Sequence, residues 1–162
     1  VPIPDPDPAA LAAFWADARA AIAASAPEVQ LPEEPPSAWG FGGTPEHADA
    51  LLDLVLRGVK TGTASAVWDF EASGEEFPAP GQLDIILDGA GRPRAVIQNT
   101  AHAVVPFDEV DAEHAHAEGE GDRSLDHWRA SHERFFTEFA EHERGFSPSM
   151  PVLIERFRVL HP

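Results

Sequence analysis

The sequence predicts an α+β fold: a small barrel of mixed or antiparallel strands with helices around it. Three observations predict it. Segments of helical period stand behind recognisable caps at Asp7, Thr44 and Ser124. The middle of the chain holds short apolar runs around Asp88-Gly89-Ala90-Gly91, a hairpin signal. A last apolar run, Val152 to Val159, follows Gly145 and reads as a closing strand. Short strands interrupted by helices are the pattern of an α+β domain.

Each element has its own warrant. Residues 1–8 are a proline-rich arm. Asp7 can cap a helix that has Pro8 at its first position, where the missing N–H costs nothing. Ala9 to Ser25 then places Leu11, Phe14, Trp15, Ala18 and Ile22 on one side. Pro27, Pro32, Pro35 and Pro36 make the next stretch a linker or a packed irregular segment. Residues 1–37 thus read as arm, helix and linker, and residues 38–162 as the main domain. Trp39-Gly40-Phe41-Gly42-Gly43 is either a ring platform for a planar ligand or an aromatic plug at a core edge. Thr44-Pro45-Glu46 starts the second helix, with Ala48, Leu51, Leu52, Val55 and Leu56 at helical spacing and Gly58 at its end. Extended chain is expected from there through Ala66-Val67-Trp68. Leu83 to Leu87 and Arg94 to Thr100 are the hairpin strands, with more extended chain to Val105. A short acidic helix spans Ala112 to Glu118. A longer one follows Ser124, with Leu125, Trp128, His132, Phe135, Phe136 and Phe139 on its stripe.

Composition excludes several classes. The chain has 162 residues and no cysteine, so there is no disulfide, thiolate nucleophile or cysteine metal site. No apolar run is long enough to span a membrane, and the N-terminus lacks the basic and apolar regions of a signal peptide. A soluble, cytoplasmic protein is the expectation. The net charge of −17 repels polyanions at long range and disfavours duplex DNA or long RNA as partner. Solubility or salt adaptation explains the acidity itself. Arg92, Arg94, Arg123 and Arg129 are the clustered cations from which a local basic strip could be made.

Of eleven basic residues, ten are arginine; the one lysine is Lys60. Arginine stays protonated, whereas a desolvated lysine can lose its proton and act as base or nucleophile. Lys60 lies in Gly58-Val59-Lys60-Thr61-Gly62-Thr63-Ala64-Ser65. In a turn, Lys60 could accept the proton of the Thr63 hydroxyl and make it a nucleophile. The alternative is an exposed lysine at a threonine-rich strand start. The second constellation is Ala115-His116-Ala117-Glu118-Gly119-Glu120-Gly121-Asp122. It can be a cation loop, although it lacks EF-hand spacing. It can carry a His114–Glu118 metal pair one helical turn apart. It can deliver Glu118 to a pocket as general acid or base, or be a solvated acidic turn. His132, on the apolar stripe, reads as a hydrogen-bonded core histidine. Phosphate-loop, dinucleotide, His-Glu-x-x-His and Gly-x-Ser-x-Gly motifs are absent.

Taken in order, these segments resemble the ASCH domain, a PUA-like β-barrel family associated with RNA. The resemblance runs from about Trp39 to Leu160. It is carried by Trp39-Gly40-Phe41-Gly42, the Gly58 to Ser65 segment, Gly81, Leu87 to Pro93 and Val105 to Val110. It continues through Ala117 to Leu125 and then Trp128, His132, Phe135 and Phe136. The resemblance implies a cleft beside the lysine segment. Some small members hydrolyse N4-acetylcytidine and related acylated nucleosides with a lysine, a threonine and a glutamate. These roles carry over to Lys60, Thr63 and Glu118. Other members are described as metal-dependent ribonucleases or RNA-binding modules. Trp39, Phe41 or Trp68 could then stack on a base, with Ser65 and Arg123 as further substrate contacts. Three departures stand out: Ser65 replaces an arginine of the small hydrolases, and Gln98-Asn99 and Gly81-Gln82 lack acids common in larger relatives. The expectation is amide hydrolysis of an N4-acylated cytidine nucleoside without a cofactor. A ribonuclease needing a divalent metal and a non-catalytic RNA-binding module are the alternatives.

Overall fold

The computed structural model describes all residues, Val1–Pro162, and contains five α-helices and five strands. The strands form one mixed sheet in the order β1-β3-β4-β5-β2. They are β1 (Ala38–Trp39), β2 (Gly62–Ala66), β3 (Leu83–Leu87), β4 (Pro93–Pro106) and β5 (Pro151–His161). β1 runs parallel to β3, while the β3–β4 and β5–β2 pairs are antiparallel. The α+β class expected from the sequence is the class observed. The sheet is open, however, where a barrel was expected: β1 and β2 are its two edges. β1 is only two residues long, because Pro35, Pro36 and Gly40 bracket it. No helix is long and apolar enough to cross a membrane.

The chain divides into two compact units, with β4 and β5 each contributing to both. The first comprises residues 1–58, 81–98 and 158–162. Helix α1 (Pro8–Ser25) begins where the sequence placed it, with the Asp7 side chain accepting from the Ala10 N–H at 2.8 Å. Its Trp15, Ala18 and Ile22 pack with Leu83, Ile85, Leu87 and Val96. Alternation along β3 turns Leu83, Ile85 and Leu87 to that core and Asp84 and Ile86 to the other face. All five β3 residues are buried, so both faces are covered. Helix α2 (Pro45–Leu56), capped by Thr44, also packs on β3.

The second unit comprises residues 59–80 and 99–157. It holds β2, α3 (Val67–Ser73), a 3₁₀ turn at Phe107–Glu109, α4 (Ala112–Glu118) and α5 (Leu125–Glu138). The expected extension of strand through Trp68 is corrected here. Helix begins at Val67, and Gly74 closes it in the left-handed region at φ 75°. Trp68 therefore belongs to a short helix, packed against a core of Ala66, Phe107, Val110, Ala115, Trp128, Phe136, Met150 and Val152. Residues Trp128, His132 and Phe136, four apart along α5, form its buried face.

Candidate functional site

The second unit buries a cluster of charged side chains. Helix α4 is capped by Asp111, which accepts from the His114 N–H at 2.9 Å. It ends at Gly119, whose φ of 73° is open to glycine. A Cβ on Gly119 would lie 2.6 Å from the Val59 carbonyl oxygen. Glycine thus lets the acidic loop lie directly on the segment that carries Lys60. The Thr61 N–H donates to the Ala117 carbonyl at 2.7 Å and fixes that register. Lys60 is 1% exposed, which removes the exposed-lysine alternative; Glu118 is also 1% exposed, which removes the solvated turn at that residue.

Every acceptor site of Glu118 is used. Its Oε1 receives Lys60 Nζ at 3.4 Å and His132 Nε2 at 3.2 Å. Its Oε2 receives His114 Nε2 at 2.7 Å and the indole N–H of Trp128. A carboxylate has about four lone-pair sites, and four donors fill them. The histidine protons follow from the partners. His132 Nδ1 faces the Trp128 carbonyl at 2.8 Å, and Nε2 faces a carboxylate. Both nitrogens must donate, so this ring is an imidazolium. His114 Nδ1 faces Arg156, a donor, so its proton lies on Nε2. Trp128 stacks on the His132 ring with centroids 4.1 Å apart.

Burial alone would push the Glu118 carboxyl up. The charges of His132 and Lys60, with hydrogen bonds from His114 and His132, outweigh it and hold the group well below the usual carboxylate range. Burial likewise opposes the charged form of His132, but the Glu118 charge and hydrogen bond, with help from Glu120, raise it above the ordinary histidine value. Glu120 completes the set. Its Oε2 accepts from Lys60 Nζ at 3.2 Å, and its side chain is 17% exposed against 2% for Glu118. Lys60 and His132 thus stand beside Glu118 and Glu120, with Arg156 behind His114.

Glu118, Glu120 and His132 bring one donor atom each to within 4.8 Å of one another, the makings of a cation site. As placed, they do not fit a divalent ion. Lys60 already occupies both carboxylates, and the His132 nitrogen that would bind carries the proton donated to Glu118.

The other residues singled out in the sequence are distributed more widely. Thr63 and Ser65 lie on β2 opposite Glu155 and Leu153. Alternation puts them on the strand face opposite Ala64 and Ala66, which join the core with Trp128. The hydrogen bonds of the Lys60–Glu118–Glu120 cluster do not include Thr63. Glu155 accepts from the buried Asn99 amide at 2.8 Å, and Asn99 Oδ1 is left without a donor. Trp68 has the Arg144 guanidinium over its ring at 4.9 Å. Arg123, at φ 64°, donates to the His116 carbonyl at 2.8 Å and to that of Val59, and so fastens the acidic loop. In the first unit Trp39 packs edge-on to Phe41 at 4.7 Å and hydrogen-bonds to Asp84.

Sequence reasoning missed Glu120 as a partner of Lys60, and missed Trp128 and Arg156 altogether as polar partners. The i, i+4 spacing of His114 and Glu118 was a true signal of contact. His132 was rightly read as hydrogen-bonded and buried, without its acidic partner.

Comparison with known proteins agrees with this architecture. The model of the ASCH domain family matches residues 37–161. The crystal structure of an ASCH domain from Lactobacillus crispatus JV V101 superposes with a TM-score of 0.81 at 25% identity, covering 93% of this chain and 94% of that one. The structure of protein EF3133 from Enterococcus faecalis V583 gives 0.79 at 33% identity, covering 93% and 87%. No protein of curated function matches the chain. On the family match and these two structures, the chain belongs to the ASCH domain family.

Proposed function

We propose that this ASCH domain hydrolyses the amide of an N4-acylated cytidine nucleoside, with Lys60, Thr63 and a glutamate of the Glu118–Glu120 pair as the reacting groups. The family suggests RNA-related binding or hydrolysis. The observation that carries the finer reading is the burial of the chain's one lysine between two carboxylates. Burying such charges carries a desolvation cost, and titratable clusters of this kind concentrate at functional sites. In this reading the Thr63 hydroxyl attacks the acyl carbon. A glutamate of the pair takes the hydroxyl proton and passes it to the exocyclic nitrogen of cytosine. The field of the Lys60 ammonium favours the oxyanion. An ammonium paired to two carboxylates suits that role better than the role of base. The unpaired Asn99 acceptor, on the Thr63 side of the sheet, can take an N–H of a base edge. A free nucleoside carries no phosphate, so the net charge of −17 does not repel it.

The second reading is an endoribonuclease with a divalent ion on Glu118, Glu120 and His132, which lie close enough together. It requires Lys60 to leave the site. One incubation separates the readings: pure protein with N4-acetylcytidine and with a structured RNA, each with EDTA and with manganese. Acetate release that ignores EDTA is expected. RNA cleavage stopped by EDTA, with no acetate released, would replace the hydrolase by the nuclease. Binding without products would leave a recognition module.

A further inference from the structure

We propose that Asn99, its amide turned by Glu155, is the specificity-determining residue for the exocyclic nitrogen of the ligand. Its Oδ1 takes an N–H there, which selects a 4-amino or 4-acylamino pyrimidine over a 4-oxo one. The proposal concerns the Thr63 face of the sheet and rests on the hydrolase reading above for the identity of the substrate.

Strands β4, β5 and β2 are neighbours in the sheet. Thr63 stands directly opposite Glu155 on β5. The two side chains therefore leave the same face, with Cβ atoms about 5 Å apart. Asn99 reaches Glu155 from β4, its Nδ2 donating to Oε1 at 2.8 Å. All three residues belong to the second unit. Thr63, Ser65 and Glu155 are half-buried rather than sealed, so a ligand can approach this face. In a substrate whose acyl carbon lies at the Thr63 hydroxyl, the exocyclic nitrogen is bonded to that carbon. It falls beside the next side chains on the face, Glu155 and Asn99.

Glu155 decides what Asn99 can recognise. An amide side chain has a donor end and an acceptor end of nearly the same shape. Turned the other way, Asn99 would set its oxygen against a carboxylate oxygen, with no proton between them. The NH2 end therefore goes to Glu155, and Oδ1 is directed away from it. Asn99 is 5% exposed, and its Oδ1 is buried without a donor. An unmade bond at a buried acceptor is costly, and a ligand N–H relieves that cost. A ligand oxygen at the same place, such as the 4-oxo group of uridine, would meet Oδ1 lone pair to lone pair. A site built to bond an N–H rejects the analogue that lacks it, because its own polar group is then left unpaired.

Calorimetric titration of the whole protein with cytidine and with uridine tests this, in wild type, Asn99→Leu and Glu155→Gln, beside thermal unfolding of each. Wild type should bind cytidine at least about 10-fold more tightly than uridine. Asn99→Leu keeps the bulk and removes the acceptor, so it should bind the two nucleosides alike. Glu155→Gln can donate as well as accept, which frees the Asn99 amide to turn, and it should shrink the preference with Asn99 still in place. If Asn99→Leu does not fold, wild type and Glu155→Gln decide the matter. No preference in wild type, or an undiminished one in the folded variants, would overturn the proposal and leave the hydrolase reading to stand on acetate release. A preference that depends on Asn99, in a protein that releases no acetate from N4-acetylcytidine, would overturn the hydrolase reading and keep Asn99 as the reader of a base-binding module.

Discussion

Asp84 and Glu118 are two carboxylates buried in different units, and their ionisation is shifted in opposite directions. Asp84, 6% exposed on β3, is raised: burial dominates, and hydrogen bonds from Trp39 and Gln82 offset only part of it. Glu118, 1% exposed, is lowered, because the charges of His132 and Lys60 overcome a burial effect of the same sign. Both acids have donors. The difference is that Asp84 is met by neutral donors and Glu118 by cations. Neutral hydrogen bonds ease a buried anion; charges at contact distance reverse the effect of burial. The first unit therefore tolerates a buried acid, while the second is organised around one.

Removal of the Glu118 charge has the largest expected effect. Glu118→Gln leaves Lys60 and His132 buried without their anion, and the expected loss is about 3–5 kcal/mol of unfolding free energy. Denaturant titration measures it, and a loss below about 1 kcal/mol would mean that the cations do not depend on Glu118. Next comes Trp128→Phe, which keeps an aromatic ring beside His132 and deletes the indole donor. A hydrogen bond to a charged group is worth about 1.5–3 kcal/mol, and a loss in that range is expected by the same measurement.

Glu118 and His132 also make stability depend on pH. Glu118 has a lowered folded value, so its stabilisation is complete above its ordinary value of 4.5 and is lost as pH falls through the folded one. His132 has a raised folded value, so its stabilisation is complete below 6.5 and is lost as pH rises through the folded one. Together they give a plateau of stability between pH 4.5 and 6.5, with decline on both sides. Thermal unfolding across pH should show the alkaline decline in wild type and a weaker one in His132→Gln. An equal slope in both would remove His132 from the account.

The smallest effect belongs to Asp84→Asn, within about 1 kcal/mol at neutral pH, since a neutral amide can still accept from Trp39. Its signature is a slope. A raised acid favours folding most below 3.8 and progressively less as pH rises through the folded value. Asp84→Asn should abolish that part of the decline, and an unchanged slope would show that Asp84 does not titrate in the fold.

How much of this was legible can be judged residue by residue. The α1 and α2 starts were readable because Asp7 and Thr44 bond to N–H groups three residues on, a wholly local contact. Trp68 was misplaced because Val67 and Trp68 favour strands, and the packing of α3 on β2 and its core overrode that preference. Lys60 announced itself by being alone among arginines. Glu118 entered through the family resemblance and the His114 spacing. Glu120 had no local mark, because its partner lies sixty residues back in the chain.

By itself the sequence determined the α+β class, the positions of the capped helices, the hairpin and the fact that Lys60 stands alone among arginines. Each of these depends on neighbours within a few residues, or on composition. Tertiary structure alone decided that the sheet stays open and that Glu118 is saturated while Glu120 is not. It also decided that His132 carries two protons. Those outcomes depend on donors from α4, α5, β5 and the Lys60 segment arriving at one point, and hydrogen-bond capacity is a count that only assembled neighbours can fill.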